Sequence, residues 1–465
     1  MTKKIFLPTM LIAVFFLLAV SLSAQPLLLK DQNVLVTLGD SITEGGEQPE
    51  GYVSIMRKAL SVLYPEMTVY IINSGISGHK STDMNDRFQR DVLQYQPQWV
   101  TISVGVNDVW HGFYDNHPKG DGPRGVPLDS YKNKVIDMVE RAARQNAAVA
   151  LFTSTVIKEN LDSPENQKLA LYNQAMREIA KKYHCVLVDQ DASCRKVLMP
   201  QQKPGMADRG ILTTDGVHML PAGNWLMAKT CLIALGVPND RLELAKPLID
   251  DLIAEDQERL QESLDRYVIQ NFELGPAPEK NRRVVFFGSS SVEQWKLIKD
   301  FPTVAFLNRG IGGETTRQMW LRFRQDVLSL NPAAVILFLG SGNDFWPENK
   351  MCPGHTLANL TRMVRMAQSK GIRVAVGTLM PVNDYVAGKD YLASHPVQVV
   401  QSLNRQIMAY CQSQSIPIID FYSAVADPSG KLAKEYSDDG MHCNRKGYIV
   451  WKPLVEAVLK TWDLF

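Results

Sequence analysis

Short, continuous apolar runs alternate along the chain with stretches whose apolar residues recur at helical spacing. Continuous runs are typical of strands buried on both faces of a sheet, whereas half-exposed strands alternate apolar and polar residues. Helical spacing is clear over 129–145 and 167–183. The pattern predicts ten strands, at 34–38, 68–73, 99–104, 148–153 and 185–188 in the first half and at 284–287, 304–307, 334–339, 373–377 and 416–419 in the second.

The alternation of strands and helices indicates the fold class. Strands that alternate with helices pair in parallel and are joined by right-handed crossovers. We therefore expect an α/β protein with two three-layer α/β/α sandwich domains, each built on a parallel sheet. Between them, 242–271 is rich in Glu, Asp, Leu and Ile at helical spacing, and a Gly- and Pro-containing stretch follows. The predicted limits are 25–240 for the first domain, 241–280 for a helical linker and 281–465 for the second domain.

The first 24 residues have the pattern of a secretory signal peptide. Lys3 and Lys4 precede an apolar stretch at 5–20, and small residues (Ser21, Ser23 and Ala24) lie at the expected cleavage point. A membrane anchor is the alternative, but the apolar stretch is shorter than the roughly 18–20 residues that a span needs, and Pro8 interrupts it. We therefore expect residues 1–24 to be removed and the mature chain to be exported, to the periplasm or outside the cell, without a membrane span.

Composition and charge exclude several kinds of partner. The 465 residues include 50 Lys and Arg against 49 Asp and Glu, for a formal net charge of +1. A nucleic-acid-binding protein needs a basic face, and a membrane-surface protein needs a polybasic patch. The nearly balanced charge therefore argues against both classes. The six cysteines show neither paired spacing nor a metal-ligand pattern, and no Gly-rich phosphate loop of the Walker form occurs, so we expect no metal and no cofactor. A local disulfide between Cys185 and Cys194 is an alternative to two separate thiols.

Four sequence blocks recur in the same order in the two halves of the chain. One matching block could arise by chance, but four in order indicate two copies of one domain. The matching pairs are 34–41 with 284–290, 73–78 with 308–313, 100–108 with 335–344, and 215–218 with 439–442.

The first and last blocks together carry the residue types of nucleophilic catalysis. Ser41 follows a buried strand and Gly39, so it lies at the carboxyl edge of the sheet, where open α/β folds place their sites. Taken alone, Ser41 could equally be a helix N-cap. A hydroxyl becomes a good nucleophile when a histidine takes its proton and a carboxylate orients that histidine. Asp215 and His218 supply those two groups from one short turn.

The two middle blocks offer hydrogen-bond donors for a developing negative charge. Acyl transfer passes through an oxyanion that needs donors about 3 Å away. The N–H of Gly78 can approach closely because glycine has no side chain, and Asn107 carries an amide donor at the end of a strand. The alternative for Asn107 is a turn-forming role.

As an ordered set, these motifs resemble the four blocks of the SGNH/GDSL hydrolase superfamily: Gly39-Asp40-Ser41, Gly78, Asn107 and Asp215-x-x-His218. The resemblance implies a flavodoxin-like α/β/α fold and ester hydrolysis without a metal. It implies that Ser41 is the nucleophile and that His218, oriented by Asp215, is the base. The Ser41 and Gly78 N–H groups and the Asn107 side chain would form the oxyanion hole.

The second copy carries the same residue types with departures from the pattern. The corresponding residues are Ser290, Gly313, Asn343, Asp439 and His442. Ser289 replaces the aspartate of the first block, and it begins a run of three serines, which leaves the nucleophile open among Ser289, Ser290 and Ser291. One extra residue also separates Gly340 from Asn343. The Gly-Ser-Ser form resembles a branch of the family, and we expect a second active site.

The family that the motifs resemble acts on carbohydrate acetyl esters, lysophospholipids, thioesters and aryl esters. Expected export, the lack of a long apolar lid in the sequence, and aromatic residues after Asn107 and Asn343 favour carbohydrate O-acetyl groups, although such aromatic residues also serve in packing. The expected substrate is therefore an acylated glycan or small molecule. Two alternatives stay open: a lipase- or lysophospholipase-type acylhydrolase, and one catalytic copy joined to one glycan-binding copy.

Overall fold

The computed structural model describes residues 26–274, 277 and 282–465. The proposed signal peptide, 1–24, lies outside the described residues. The chain divides into two compact units, one ending at Glu255 and one beginning at Asp256. Within the described residues, no helix is long and apolar enough to cross a bilayer.

The first unit alternates strands and helices as the sequence pattern predicts. Its strands are β1 (Val34–Gly39), β2 (Tyr70–Gly75), β3 (Trp99–Ser103), β4 (Ala148–Phe152) and β5 (Val186–Val188). Its helices are α1 (Ser41–Gly45), α2 (Tyr52–Leu63), α3 (Ser81–Asp91), α4 (Val106–Trp110), α5 (Leu128–Arg144), α6 (Pro164–Lys182), α7 (Gln190–Leu198) and α8 (Pro221–Ala234). Helix α9 (Asn239–Asp265) contains the boundary between the units.

The five strands of the first unit form one parallel sheet in the order β2-β1-β3-β4-β5. Strand β1 lies between β2 and β3, with Val36 opposite Ile72 on one side and Val100 on the other. These three residues are fully buried, as expected of strands covered by helices on both faces. The carboxyl ends of β1, β2 and β3 therefore lie side by side at one edge of the sheet.

The second unit repeats this architecture. Its strands are β6 (Val284–Gly288), β7 (Phe306–Gly310), β8 (Ala334–Phe338), β9 (Arg373–Gly377) and β10 (Ile418–Ile419). Its helices, together with the short helix that precedes its sheet, are α10 (Val268–Glu273), α11 (Ser290–Glu293), α12 (Leu297–Asp300), α13 (Thr316–Asp326), α14 (Pro353–Gln368), α15 (Tyr391–Ser394), α16 (Val397–Ser413), α17 (Phe421–Val425) and α18 (Arg445–Thr461).

The second sheet has the order β7-β6-β8-β9-β10 and is also parallel. Its core is aromatic, with Trp295 and Trp451 buried among the phenylalanines of β6, β7 and β8. The two five-stranded parallel sheets confirm the predicted fold class of two α/β/α sandwich domains. The domain limits at 25–240, 241–280 and 281–465 stay a prediction.

Strands β2 and β7 extend two or three residues beyond their predicted ends. The pattern ends β2 at Asn73 and β7 before Asn308, but Ser74 lies inside β2 and Asn308 lies inside β7. The Asn73 side-chain amide donates to the carbonyl of Thr43, and the Ser74 hydroxyl donates to the carbonyl of Asp91. Polar side chains are tolerated in a buried strand when they are hydrogen-bonded in this way.

All six cysteines are free thiols. Cys194 is buried and Cys185 is half-buried, and burial raises the pKa of both thiols. The alternative of a local disulfide between these two residues is therefore not what the structure shows, and they contribute instead as small, largely buried side chains.

Candidate active site

Ser41 and His218 meet at the carboxyl edge of the first sheet although 177 residues separate them. Ser41 is the first residue of α1, directly after β1 and Asp40, and its Oγ lies 2.8 Å from Nε2 of His218. The other ring nitrogen, Nδ1, lies 2.7 Å from Oδ2 of Asp215. An imidazole placed between a hydroxyl and a carboxylate can take the hydroxyl proton while the carboxylate holds the ring in orientation.

A single tight turn presents the carboxylate and the imidazole together. Oδ1 of Asp215 accepts the N–H groups of Val217 and His218 at 3.0 and 2.8 Å, and Gly216, which directly follows Asp215, has φ of 98°. Partial burial acts to raise the pKa of Asp215, but the hydrogen bonds from His218 and Val217 outweigh it and hold that pKa below its usual value. Asp215 is therefore ionised at neutral pH.

The turn is anchored by a buried carboxylate that the sequence analysis missed. Glu159 is fully buried and accepts the N–H groups of Ile211, Leu212 and Thr213 and the Thr213 hydroxyl. These bonds fix the segment that leads into Asp215. No local pattern marks Glu159, because its partners lie more than 50 residues later in the chain.

The proposed oxyanion residues lie together on the next two strand ends. Gly78 has φ of 78°, and the space in which a Cβ would lie is open. The side-chain amide of Asn107 donates to the carbonyl of His79 at 3.1 Å, which ties it to the Gly78 loop. Positive φ and an open approach explain why glycine occupies position 78.

A buried aspartate after each candidate asparagine holds the helix that follows the glycine loop. Asp108 accepts the backbone N–H and the hydroxyl of Ser81, the first residue of α3. Burial raises the pKa of Asp108 to about 6, although the bonds from Ser81 act to lower it. In the second unit Asp344 accepts the N–H of Thr316 at 2.7 Å. The same contact in both copies indicates that this aspartate sets the distance between the loop and the asparagine.

A carboxylate on the helix that begins at the candidate nucleophile of each unit, α1 or α11, also holds the glycine loop. Oε2 of Glu44 accepts the N–H of Ser77 at 2.8 Å, and Oε2 of Glu293 accepts the N–H of Gly312 at 3.0 Å. Each donor immediately precedes the candidate oxyanion glycine. The helix that begins at the candidate nucleophile therefore positions the loop opposite it.

A buried arginine fixes the end of the first strand in each unit. The guanidinium of Arg87 donates to the carbonyl of Gly39 at 2.9 Å, and that of Arg322 donates to the carbonyl of Gly288 at 3.3 Å. Arg322 is ion-paired with Glu314 at 2.7 Å, and both side chains are almost fully buried. A buried charge persists only when it is paired and hydrogen-bonded. These arginines therefore hold the carbonyl group at the end of the first strand in a fixed position.

The second unit brings its predicted residues into the same arrangement. Oγ of Ser290 lies 3.0 Å from Nε2 of His442, whose Nδ1 lies 2.7 Å from Oδ2 of Asp439. Partial burial acts to raise the pKa of Asp439, but hydrogen bonds from His442 and from the Met441 backbone outweigh it and hold the pKa at about 2. Asp439 is therefore ionised over the whole neutral range.

The geometry distinguishes the three consecutive serines. The hydroxyl of Ser289 donates to the carbonyl of Leu339, and that of Ser291 points to the sulfur of Met380. Of the three, Ser290 alone has its hydroxyl within hydrogen-bond distance of the imidazole.

The extra residue before Asn343 is absorbed by two glycines. Gly340 and Gly342 have φ of 66° and 96°, a region that side-chain-bearing residues rarely adopt. The Asn343 amide then reaches the carbonyl of Glu314 at 2.8 Å, as Asn107 reaches that of His79 in the first unit. Gly313 has φ of 81° and open space beside it, as Gly78 has.

The aromatic residues after the two asparagines contact one another. His111 stacks on Tyr114 with ring centroids 5.0 Å apart, and Trp110 meets the edge of Tyr114 at 5.8 Å. In the second unit Trp346 packs edge-on against the buried His395 at 4.9 Å. These contacts fit the packing role that the sequence analysis kept as the alternative to sugar binding.

The residue before the candidate nucleophile differs between the units: it is a buried carboxylate, Asp40, in the first and a neutral serine, Ser289, in the second. Asp40 is only 3% exposed, and its Oδ1 accepts the N–H of Ile42 at 3.0 Å. Burial raises the pKa of Asp40 to about 6, outweighing this bond and the nearby His218. Ser289 takes the same place in the second unit without a charge.

The raised pKa predicts that Asp40→Asn stabilises the first unit at alkaline pH. Folding raises this pKa, so the charged carboxylate costs the folded state about 3 kcal/mol above pH 6, and that cost disappears as pH falls toward 4. Asn keeps the acceptor for Ile42 without the charge. Thermal unfolding of the full chain should show the variant more stable at pH 8, with the difference fading by pH 4.5. Asp86→Asn, at an exposed position of α3, is the control; a difference that does not change with pH would contradict the prediction.

A known family matches both repeats, and individual relatives each match part of the chain. Residues 37–226 and 287–450 match the GDSL-like Lipase/Acylhydrolase family. An acetylxylan esterase of Geobacillus stearothermophilus is 29% identical over 213 residues, which are 43% of this chain and 93% of that protein. Among solved structures, an acylhydrolase from Bacteroides fragilis described as putative is 34% identical, covers 43% of this chain and 97% of its own, and has a TM-score of 0.40. The acetyl xylan esterase AlAXEase is 30% identical, covers 43% and 98%, and also has a TM-score of 0.40.

The resemblance inferred from the ordered motifs is thus confirmed. Because the family match includes both repeats and most of the described residues, the chain belongs to the GDSL-like lipase/acylhydrolase family and is a carboxylic ester hydrolase.

Proposed function

We propose that the chain is an exported serine esterase that removes O-acetyl groups from carbohydrates and has one site in each unit. The observation that carries the proposal is the hydrogen-bonded series of serine, histidine and aspartate at both sheet edges. The Ser–His distances are 2.8 and 3.0 Å, and both His–Asp distances are 2.7 Å. Export rests on the sequence pattern of residues 1–24 alone.

The proposed reaction begins with the hydroxyl of Ser41. His218 takes the proton through Nε2 as Oγ forms a bond to the ester carbonyl carbon, and Asp215 stabilises the imidazolium that results. The negative charge that develops on the carbonyl oxygen accepts hydrogen bonds from the N–H groups of Ser41 and Gly78 and from the side-chain amide of Asn107. The C–O bond to the alcohol then breaks, and His218 gives its proton to the departing alcohol.

The resulting acyl-enzyme is cleared by water. His218 takes a proton from the water as the water oxygen forms a bond to the acyl carbon. His218 then returns that proton to Oγ of Ser41 as the acyl–enzyme bond breaks. The products are the free alcohol and a carboxylic acid. Ser290, His442, Asp439, Gly313 and Asn343 have the same roles in the second unit.

The proposed substrate class rests on similarity and on the character of the sites. The Geobacillus stearothermophilus relative is named for its action on acetylxylan. We extend that to this chain as O-acetyl groups on xylan-type saccharides. A small acyl group suits sites whose surroundings are polar turns and glycines, since a long acyl chain needs an extended apolar wall.

Removing both candidate nucleophiles should abolish ester hydrolysis. Ser41→Ala and Ser290→Ala singly should leave the share of the other site, whereas the double variant should lose at least about 10³-fold in kcat, as expected when a nucleophile is removed. Acetate release from acetylated xylan and hydrolysis of p-nitrophenyl acetate are the measurements. Ser291→Ala, next to the nucleophile, is the matched control.

Three outcomes would count against parts of this proposal. Turnover of the double variant at the wild-type rate would contradict the serine mechanism. In a Ser41→Ala background, loss of activity with Ser291→Ala but not with Ser290→Ala would show that Ser291, and not Ser290, is the second nucleophile. If Ser290→Ala changes no ester's turnover while the second unit still binds sugar, the second copy is a glycan-binding module.

The acyl group should be short. With p-nitrophenyl esters from acetate to octanoate, kcat/KM should be highest for acetate and fall for chains longer than butyrate, because the site offers polar rather than apolar contacts. Hydrolysis rates of the series at one pH test this. A value that rises with chain length beyond butyrate would instead favour a lipase- or lysophospholipase-type acylhydrolase.

Glu44 should act as a positioning residue for the first site. In a Ser290→Ala background, Glu44→Ala should lower kcat about tenfold, because loss of a hydrogen bond to a charged acceptor frees the Gly78 loop. Glu44→Gln keeps an acceptor oxygen and should restore part of the rate. Glu66→Ala, at an exposed position of the same unit, is the control. A loss confined to KM would contradict this role, since oxyanion donors act in the transition state.

A further inference from the structure

The end of helix α9 is fastened to the second unit beside its candidate site. Asp256 forms two hydrogen bonds with Arg317 at 2.9 and 3.0 Å, and Arg266 pairs with Glu293 at 2.8 Å. The next residue, Tyr267, is buried, and its hydroxyl donates to the carbonyl of Gly310 at the end of β7. This segment is therefore a wall of the second unit and not only a connection along the chain.

A cavity of about 430 Å³ lies between this wall and the glycine loop of the second site. Small-molecule sites commonly have volumes of roughly 300–1,000 Å³. Gly312 and Gly313 line the cavity, and a Cβ added at Gly312 would lie 3.6 Å from the Cβ of Ser290. The cavity therefore opens next to the candidate nucleophile and the candidate oxyanion donor.

The walls of the cavity are polar. Among its described lining residues, Ile311 is the one with an apolar side chain. Helix α9 contributes Arg259, Glu262 and Ser263, all of which are polar. Such walls do not suit an acyl chain. They suit the alcohol part of an ester when that alcohol carries many hydroxyl groups.

The charges favour a neutral ligand over an anion. Of the charged lining residues, Arg266 is paired with Glu293, and Glu314 is paired with the buried Arg322. Arg259 and Glu262 remain, one turn apart, both lining the cavity and both exposed to solvent on α9. A sugar hydroxyl can both accept from a guanidinium and donate to a carboxylate, so this pair of opposite charges matches a polyol.

We propose that this cavity is the subsite of the second unit that holds the sugar ring bearing the ester, with Arg259 donating to its hydroxyls and Glu262 accepting from them. The proposal rests on the proposed function, because it assigns the alcohol side of the ester that Ser290 would attack. It also gives the segment at the end of α9 a role in substrate selection.

The test compares two esters in a background where only the second site can act. In Ser41→Ala protein, kcat/KM is measured for an acetylated xylo-oligosaccharide and for p-nitrophenyl acetate, which has no sugar. The double variant Arg259→Ala/Glu262→Ala should lower the ratio of the two values at least about tenfold, mainly through KM for the oligosaccharide. The matched control is Glu258→Ala/Arg324→Ala, which removes the same charges from exposed positions that do not line the cavity.

The outcomes separate this proposal from the proposed function. A ratio within twofold of the control would overturn the subsite while leaving the esterase proposal intact. Equal losses on both esters would also overturn it, since they would mean that the two residues support the fold of the site. If Ser41→Ala protein hydrolyses neither ester while Ser290→Ala protein keeps full activity, the proposed activity of the second unit fails, and the subsite fails with it.

Discussion

The constraint on which the rest depends is the position of the first strand of each sheet between the second and the third. Parallel strands end at the same edge, so this order brings three strand ends, and the loops that follow them, into contact. The serine follows the first strand, the glycine loop follows the second, and the asparagine follows the third. The turn with aspartate and histidine lies late in the sequence of each unit and packs at this same edge of the sheet.

Holding these loops requires polar groups in places where water is excluded. Arg87, Asp108 and Glu159 are all buried, and each makes hydrogen bonds to backbone or side-chain groups of a loop at the site. Burying such groups is costly unless their bonds are made, so alternative loop positions that break those bonds are strongly disfavoured. The same buried groups thus cost stability and give the site a single geometry.

The two units reach one geometry by different local means. The first carries a buried carboxylate at Asp40, where the second has the neutral Ser289. The first anchors the turn of Asp215 and His218 through Glu159, whereas in the second the hydroxyl of Ser437 accepts the N–H of Gly440 inside the corresponding turn. Among the contacts that the copies share are those made by Glu44 and Glu293 with the glycine loop. Contacts that recur in both units indicate what their common geometry requires.

Much of this architecture could be predicted from the sequence by itself, because strand and helix periodicity and turn residues are local properties. The sequence predicts two domains with parallel sheets, the order of the four blocks in each, and the residue types of both candidate sites. Polar residues inside a strand, such as Ser74 and Asn308, ended the predicted strands too early, since their partners lie 16 or 17 positions away in the sequence.

Only the tertiary structure decided matters that depend on contacts between distant segments. It determined that Ser290 rather than its neighbours faces the imidazole, and that two left-handed glycines return Asn343 to its place despite the extra residue. It also revealed the anchoring by Glu159 and the cavity beside α9. Their physical reason is the same: a hydrogen bond or a cavity exists only once the sheet has brought together groups that lie tens to hundreds of residues apart.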